Sequence, residues 1–460
     1  MKRRPLIWTF GLALVVLTTQ AFQCGSPEFT GAKVYEQQSN WKEAARLYEQ
    51  ETQKNPANAE AWFRLGRIRG LNLNDDAGMN VALGQAVKLN KEFEREAKIL
   101  QYNRWASHVN DGVSNLKRGS ADSLRYFDAA ASDFKMAIVA WPDTSITYQF
   151  LGHAYVSRGD DKNAIEAYTK AWMVGKDKDS YKRTGRLYLQ RAIERMNVFD
   201  TTNAVAIKAL KSLSDVDKGT YTNDVLHAFG APDAKKKDSR NSKQEVWSYN
   251  QYNLQLTLEG GKVVKRTFSK PYAPVIDSTA WKAGAAEYDN AVTVFEGIKK
   301  EDPKDNENLT LLLQAYVGAN RIPEATKAFK QAVVNDPGNK MNHFVLGVLY
   351  RTINDFTNAI AEYEEALKID PNYVDALFDI GATQFNWGLD LRKSAQEKGE
   401  DDPTYKEKFK AALPYLEKVA ELKKDDPNIF QTLAAIYASM GDAAKAAKAL
   451  DEADNLRKAK

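Results

Sequence analysis

Small, apolar and aromatic residues recur along much of this 460-residue chain at an interval of 34 positions. Within residues 341–371, the apolar positions follow helical spacing and fall into two blocks, which predicts a helix–turn–helix unit. Small residues let the two helices approach closely, aromatic residues fill the space between them, and a proline ends the second helix. The positions that define this unit are Leu346, Gly347, Tyr350, Ala359, Tyr363, Ala366 and Pro371.

The same frame returns in six other segments, from Tyr35 near the start to Ala453 near the end. The pattern resembles the tetratricopeptide repeat, a 34-residue helix–turn–helix unit. We therefore expect a mainly α-helical solenoid of about nine repeats, in which neighbours stack because no repeat buries its faces alone. Two repeats look stretched, at 113–126 and 389–405, and residues 179–213 look helical but match the motif poorly.

The pattern changes in kind between residues 216 and 272. A helix is expected to end at Gly230, and a polar, basic stretch follows over 234–243. Apolar residues then alternate with period two around Trp247, which is typical of strands. One helix and a three-stranded meander cannot extend a helical solenoid, so we predict a separate small α+β domain inserted into the repeats.

Three strings in this insert resemble the SmpA/OmlA (BamE-like) lipoprotein domain. That domain accompanies outer-membrane β-barrel assembly and also occurs in envelope proteins of other roles. The resemblance implies a place in the cell envelope. The strings are Gly230-Ala231-Pro232, Trp247-x-Tyr249 and Gly260-Gly261-Lys262-Val263.

The first 23 residues have the pattern of a secretory signal peptide. A basic head at residues 2–4 precedes an apolar run that is short for a transmembrane helix, which needs roughly 20 apolar residues. Cys24, the only cysteine, follows closely. This arrangement resembles a bacterial lipoprotein signal, which implies that Cys24 is lipidated and anchors the chain to the outer membrane, facing the periplasm. Cleavage after Ala21 is the alternative, and it would leave a soluble periplasmic protein.

Composition narrows the function further. The 65 Lys and Arg nearly balance the 61 Asp and Glu, which argues against nucleic-acid binding as the main role. A single cysteine excludes an intramolecular disulfide framework and a cysteine-rich zinc site. The four histidines do not form a His-Glu-x-x-His metal face, and no Gly-x-Ser-x-Gly nucleophile motif occurs. We therefore expect no catalytic residue, no metal and no cofactor, which is the profile of a protein that is not an enzyme.

In tetratricopeptide-repeat proteins the first helices line a concave face, and the resemblance implies a groove for ligands there. The matching positions in this chain lack the Lys and Asn pattern of chaperone-binding members. In two neighbouring repeats they are apolar, which suits an amphipathic helix or an extended peptide. The alternative is that some of these side chains pack against the adjacent repeat. The candidate groove residues are Met341, Phe344, Val348, Phe378 and Phe385.

These inferences combine into one domain organisation: a signal peptide (1–23), an N-terminal repeat array (24–215), the α+β insert (216–272) and a C-terminal repeat array (273–460). The leading hypothesis is a lipid-anchored periplasmic scaffold or adaptor that binds protein partners in cell-envelope assembly or secretion. Two alternatives stay open. One is a soluble periplasmic chaperone-like protein that binds peptides, and the other is an accessory subunit of an envelope enzyme or polymer-export complex.

Overall fold

The computed structural model describes residues 26–120, 123–398 and 403–458, so the predicted signal peptide and Cys24 lie outside the described residues. The described chain falls into two compact units, which divide between Lys176 and Asp177. Both units consist mainly of helices joined by short turns. No helix in the described part of the chain is long and apolar enough to cross a bilayer.

The first unit is a series of helical hairpins in which each helix packs against the next along the chain. The described part of this unit contains eight α-helices and one short 3₁₀ helix (Lys91–Phe93), and the third hairpin is longer than the others because α5 extends over 25 residues. The helices are α1 (Pro27–Gln37), α2 (Trp41–Lys54), α3 (Ala59–Asn72), α4 (Asp76–Leu89), α5 (Glu94–Arg118), α6 (Arg125–Ala140), α7 (Ser145–Arg158) and α8 (Asp161–Gly175).

The second unit contains helical hairpins and a small antiparallel sheet. Its first elements are α9 (Lys178–Thr202), α10 (Ala204–Asp215), α11 (Thr222–Phe229), β1 (Ala234–Lys237), β2 (Gln244–Tyr249), β3 (Leu254–Glu259) and β4 (Lys262–Phe268). The remaining helices are α12 (Thr279–Glu301), α13 (Asn306–Gly318), α14 (Ile322–Asn335), α15 (Lys340–Thr352), α16 (Phe356–Ile369), α17 (Val374–Lys398), α18 (Thr404–Leu422), α19 (Pro427–Ser439) and α20 (Ala443–Lys458).

Short polar side chains fix where many of these helices begin. Asn58 accepts a hydrogen bond from the Ala61 amide at 3.0 Å, and Asp305 accepts one from the Asn308 amide at 3.0 Å. Such caps satisfy amides that have no partner within the helix. The polar residues in the turns between apolar blocks therefore cap the helices in addition to interacting with solvent.

A glycine against an aromatic ring holds the two helices of a repeat together. A Cβ atom on Gly347 would lie 2.5 Å from Cε1 of Tyr363, a ring that is fully buried. Only glycine allows α15 and α16 to approach this closely. At the corresponding position 34 residues earlier stands Leu313, and α13 and α14 make a looser pair.

The helix that pairs with α9 comes after the α+β region along the chain. It packs along α12, and a Cβ atom on Gly185 would lie 2.4 Å from the ring of Phe295. This contact repeats the Gly347–Tyr363 contact, although Phe295 follows Gly185 by 110 positions and Tyr363 follows Gly347 by 16. The α+β region therefore interrupts one helical hairpin between its two helices. With that hairpin included, nine helical pairs occur in the described residues.

The interrupted hairpin is closed by one asparagine. Asn203, which is 4% exposed, donates to the carbonyl of Asp277 at 3.0 Å and accepts from the amide of Asp277 at 2.9 Å. These two bonds bring residues 203 and 277 together where the chain leaves and re-enters the helical array. Residues 204–276, which include α10, α11 and the sheet, therefore form one insertion whose two ends meet at this contact.

The sheet has the order β1-β2-β3-β4, and every neighbouring pair is antiparallel. Its buried face packs on α11 around Val225, Trp247, Tyr249 and Leu256, all at most 4% exposed. The predicted mainly helical solenoid with a small α+β region is confirmed, but the expectation of three strands was wrong. The additional strand, β1, comes from the basic stretch after α11, because lysines are tolerated on an edge strand where one side of the backbone faces solvent.

Candidate functional site

Phe344 and Phe378 line one cleft in the second unit. They lie on α15 and α17, the first helices of neighbouring repeats, and both rings are half-buried. The cleft has a volume of about 790 Å³. We call it the α15–α17 cleft, and its apolar lining is Phe344, Val374, Phe378, Val419, Pro427 and Ile429.

The ring of Phe344 packs against two tyrosine rings. Its centroid lies 5.3 Å from that of Tyr373 and 5.7 Å from that of Tyr363. Tyr363 is fully buried between α15 and α16, whereas Phe344 keeps part of its surface accessible. Tyr363 therefore belongs to the interior of the repeat, and Phe344 lies at the edge of that interior, facing the cleft.

The other three candidate groove residues do not line this cleft. The sulfur of Met341 accepts a hydrogen bond from the Tyr373 hydroxyl at 3.7 Å. Val348 packs against the buried cluster around Tyr363, and the ring of Phe385 lies 5.3 Å from that of Phe409 in α18. The structure thus brings two of the five candidates together at one cleft and places the other three in contacts with neighbouring helices.

The polar lining of the cleft is strongly acidic. Four aspartates and one lysine line it, and none of these residues was singled out from the sequence. Asp426 also caps α19 by accepting from the Asn428 amide at 3.0 Å. In the described chain no lysine or arginine forms an ion pair with Asp375 or Asp425. The charged residues of the cleft are Asp375, Asp379, Lys423, Asp425 and Asp426.

Asp379 is the most enclosed of these carboxylates. Its side chain is 14% exposed, and the nearest guanidinium nitrogen of Arg351 is 3.8 Å away, which is too long for a good hydrogen bond. Burial raises the pKa of Asp379, and the positive charge of Arg351 opposes that rise without cancelling it. The carboxylate of Asp379 thus lies near both the Arg351 guanidinium and the Tyr363 hydroxyl, which together do not cancel the effect of burial.

A buried ion-pair network lies elsewhere, between α4 and α5 in the first unit. Oδ1 of Asp76 is 2.7 Å from Nε of Arg104, and Oδ2 is 2.7 Å from Nε2 of His108. Burial acts to raise the pKa of Asp76, but the hydrogen bonds from Arg104 and His108 outweigh it and hold the pKa below its ordinary value. The network joins two helices and its Asp76 and His108 are buried, so we interpret it as structural.

Other histidines also make packing contacts. Nδ1 of His343 is 2.8 Å from a carboxylate oxygen of Glu362, and Nε2 is 3.1 Å from the carbonyl of Pro337. The ring of His153 meets that of Tyr168 edge to face at 5.7 Å. Across the residues that the structure describes, no group of three or more His, Cys, Asp or Glu side chains is arranged to hold a metal ion.

Three segments match family models of the tetratricopeptide repeat. They are residues 29–70, 146–171 and 347–388. The last segment contains the Gly347–Tyr363 contact and Phe378, so the α15–α17 cleft lies partly within a matched segment.

Curated relatives share parts of the chain. The N-terminal acetyltransferase A complex auxiliary subunit NAA15 of Arabidopsis thaliana is 30% identical over 98 residues, which is 21% of this chain and 11% of that protein. The TPR repeat-containing protein YpiA of Bacillus subtilis is 26% identical over 151 residues, 32% of this chain and 35% of that protein. The chain therefore spans about a third of YpiA and about a tenth of NAA15. Among solved structures, the crystal structure of MamA is 20% identical and covers 40% of this chain and 97% of MamA, with a TM-score of 0.29.

Proposed function

We propose that this tetratricopeptide-repeat protein is a lipid-anchored periplasmic scaffold that binds protein partners during cell-envelope assembly or secretion. Tetratricopeptide-repeat proteins are in general scaffolds for protein interactions. The observation that carries the proposal is the α15–α17 cleft, where half-buried rings from two successive first helices face the same opening. A partner segment laid across both helices would cover apolar surface that the chain itself leaves exposed.

The anchor part of the proposal depends on the N-terminal sequence. A short apolar run followed by Cys24 favours transfer of the chain to the envelope and acylation of the cysteine. Two acyl chains hold a protein on a bilayer stably, whereas one alone binds only marginally. A scaffold held in this way meets its partners at a membrane surface.

Metabolic labelling with an alkyne fatty acid tests the anchor. We expect label on the wild-type chain in the membrane fraction, and no label on Cys24→Ala, which should be released in soluble form. A conservative change in the same segment, Thr18→Ser, should leave labelling unchanged. An unlabelled wild-type chain with its N-terminus at Phe22 would instead favour the soluble periplasmic chaperone.

Photo-crosslinking in cells tests the partner-binding part. A benzophenone amino acid replaces Phe378 in the cleft and, as the control, Val334 on α14, which is 73% exposed and lies outside the cleft. We expect discrete protein adducts from the Phe378 position and none from the Val334 position. Adducts of equal yield from both positions, or none from either, would contradict a partner site in this cleft. Recovery of an enzyme or a polymer-export component as the adduct would favour the accessory-subunit alternative.

A further inference from the structure

The α15–α17 cleft is lined by both apolar and acidic side chains. Its lining combines the half-buried rings of Phe344 and Phe378 with the exposed Asp375 and Asp425 and the more enclosed Asp379. Exposed carboxylates repel one another, and half-exposed rings leave apolar surface in water, so both features act against the empty state. A ligand with positive charge beside an apolar side chain would relieve both.

From this complementarity we infer that the cleft binds a partner peptide in which a lysine or arginine stands next to a bulky apolar residue. The inference rests on the proposed function and specifies the chemistry of the partner. The apolar side chain would contact Phe344 and Phe378, and the cation would lie between the carboxylates of Asp375 and Asp379.

Two lysines near the cleft are engaged with other groups of the chain. Lys340 pairs with Asp370, and Nζ of Lys418 donates to the carbonyl of Pro371 at 2.7 Å. Lys423 is the one cation among the residues that line the cleft, against four aspartates. The surface that a partner meets is therefore negative.

The rings add to the attraction for a cation. The face of an aromatic ring attracts a positive charge within about 6 Å by roughly 0.5–1 kcal/mol at exposed sites. The same chain uses this contact elsewhere: Nζ of Lys340 lies 4.7 Å from the ring centroid of Tyr373, which itself packs against Phe344. A peptide lysine or arginine over Phe344 or Phe378 would repeat a contact that the fold already forms.

Asp379 would respond directly to such a ligand. It faces Arg351 from α15 at 3.8 Å, lies near the Tyr363 hydroxyl of α16 and has Asp375 as the acidic neighbour on its own helix. A second cation would favour its ionised form, so binding would weaken as pH falls and the carboxylate becomes protonated.

Fluorescence polarisation with three short synthetic peptides tests the inference on the mature chain. The probes alternate lysine with leucine, glutamate with leucine, and lysine with serine. We expect the lysine–leucine peptide to bind best, with an affinity that decreases as salt is added. Asp375→Asn should weaken that binding about 2- to 5-fold, as expected for one exposed charge pair. Asp451→Asn, a matched loss of one exposed carboxylate on α20, should leave it unchanged.

Several results would overturn the inference. Equal binding of the glutamate–leucine peptide, equal loss in Asp375→Asn and Asp451→Asn, or no binding of any probe would each contradict it. Phe378→Ala adds a second variant, whose melting temperature is measured first because truncation could affect packing. Crosslinked partners in cells together with failure of the lysine–leucine peptide would leave the scaffold proposal in place and reject only the partner chemistry. Failure of both experiments would reject both.

Discussion

The pairing of α9 with α12 across the insert can be tested at one contact. Phe295 is fully buried, and its ring occupies the space that a side chain at position 185 would need. Two substitutions probe this arrangement: Phe295→Ala removes the ring, and Gly185→Ala adds a methyl group toward it. If the two residues touch, the effect of each substitution on the free energy of unfolding depends on the other.

The burial of Phe295 and its contact with Gly185 set the expected changes in the free energy of unfolding. Phe295→Ala should destabilise by about 3–5 kcal/mol, the usual range for a phenylalanine truncated in a core. Gly185→Ala in the wild-type chain overpacks the contact, which typically costs about 1–3 kcal/mol, and alanine returns up to about 1 kcal/mol through helix propensity. In the Phe295→Ala background the methyl group enters vacated space, so the same change should become neutral or stabilising. The coupling should reach about 1–3 kcal/mol.

Hydrogen exchange followed by mass spectrometry is the suitable assay. It reports the local opening of α9 and α12, whereas global unfolding of a chain with two compact units need not be two-state. The matched control is Gly347→Ala with Tyr363→Ala in the uninterrupted hairpin, where the same geometry is found at 2.5 Å. That cycle should give a coupling of similar sign and size.

Two results would refute the reasoning. One is a Gly185→Ala effect that is identical with and without the Phe295 ring. The other is faster exchange in α12 of the Phe295→Ala variant while α9 keeps its full protection. Either result would mean that the two helices do not depend on one another as the halves of one repeat.

Three further outcomes are expected. Deleting residues 204–276 and joining the ends through a short glycine linker should leave the helical circular dichroism of the remaining helices intact, because Asn203 and Asp277 already meet. Loss of most of the helical signal would contradict a modular insert. Since the pKa of Asp76 is depressed in the folded chain, its stabilisation is present above about pH 4 and is lost as pH falls further, so thermal melts of Asp76→Asn should show a weaker acid dependence than the wild type. Burial raises the pKa of Tyr249 to about 12, so the α+β region should lose stability as pH rises from about 10 toward 12, and Tyr249→Phe melts should lack that loss.

The repeats were predictable because they are local. A glycine and an aromatic ring separated by a fixed 16 positions, as in Gly347 and Tyr363, reveal a helical hairpin without any knowledge of the fold. The same reasoning placed Phe344 and Phe378 on equivalent positions of neighbouring repeats. In the structure these two rings line one cleft, while their role in binding stays a prediction.

The features that the sequence did not predict depend mostly on contacts between residues that are far apart along the chain. Residues 179–213 matched the motif poorly because the partner of Gly185 lies beyond the insert, outside any search for a constant spacing. No pattern in the sequence singled out Asp375 and Asp379, and only the tertiary fold brings them to the same cleft as Asp425. Strand β1 was not predicted because the charge of its lysines suggests a loop, whereas its backbone pairs with β2.

Some aromatic residues of the repeats are fully buried and others are partly exposed, so the proposed partner surface can vary without loss of core packing. Tyr363 and Phe409 are fully buried and close their repeats, so their truncation removes core packing directly. Phe344 and Phe378 contribute only part of their surface to the fold and present the rest to the cleft. The proposed partner surface can therefore change at these two positions and at the aspartates around them, while the glycine–aromatic contacts behind them keep the helices in place.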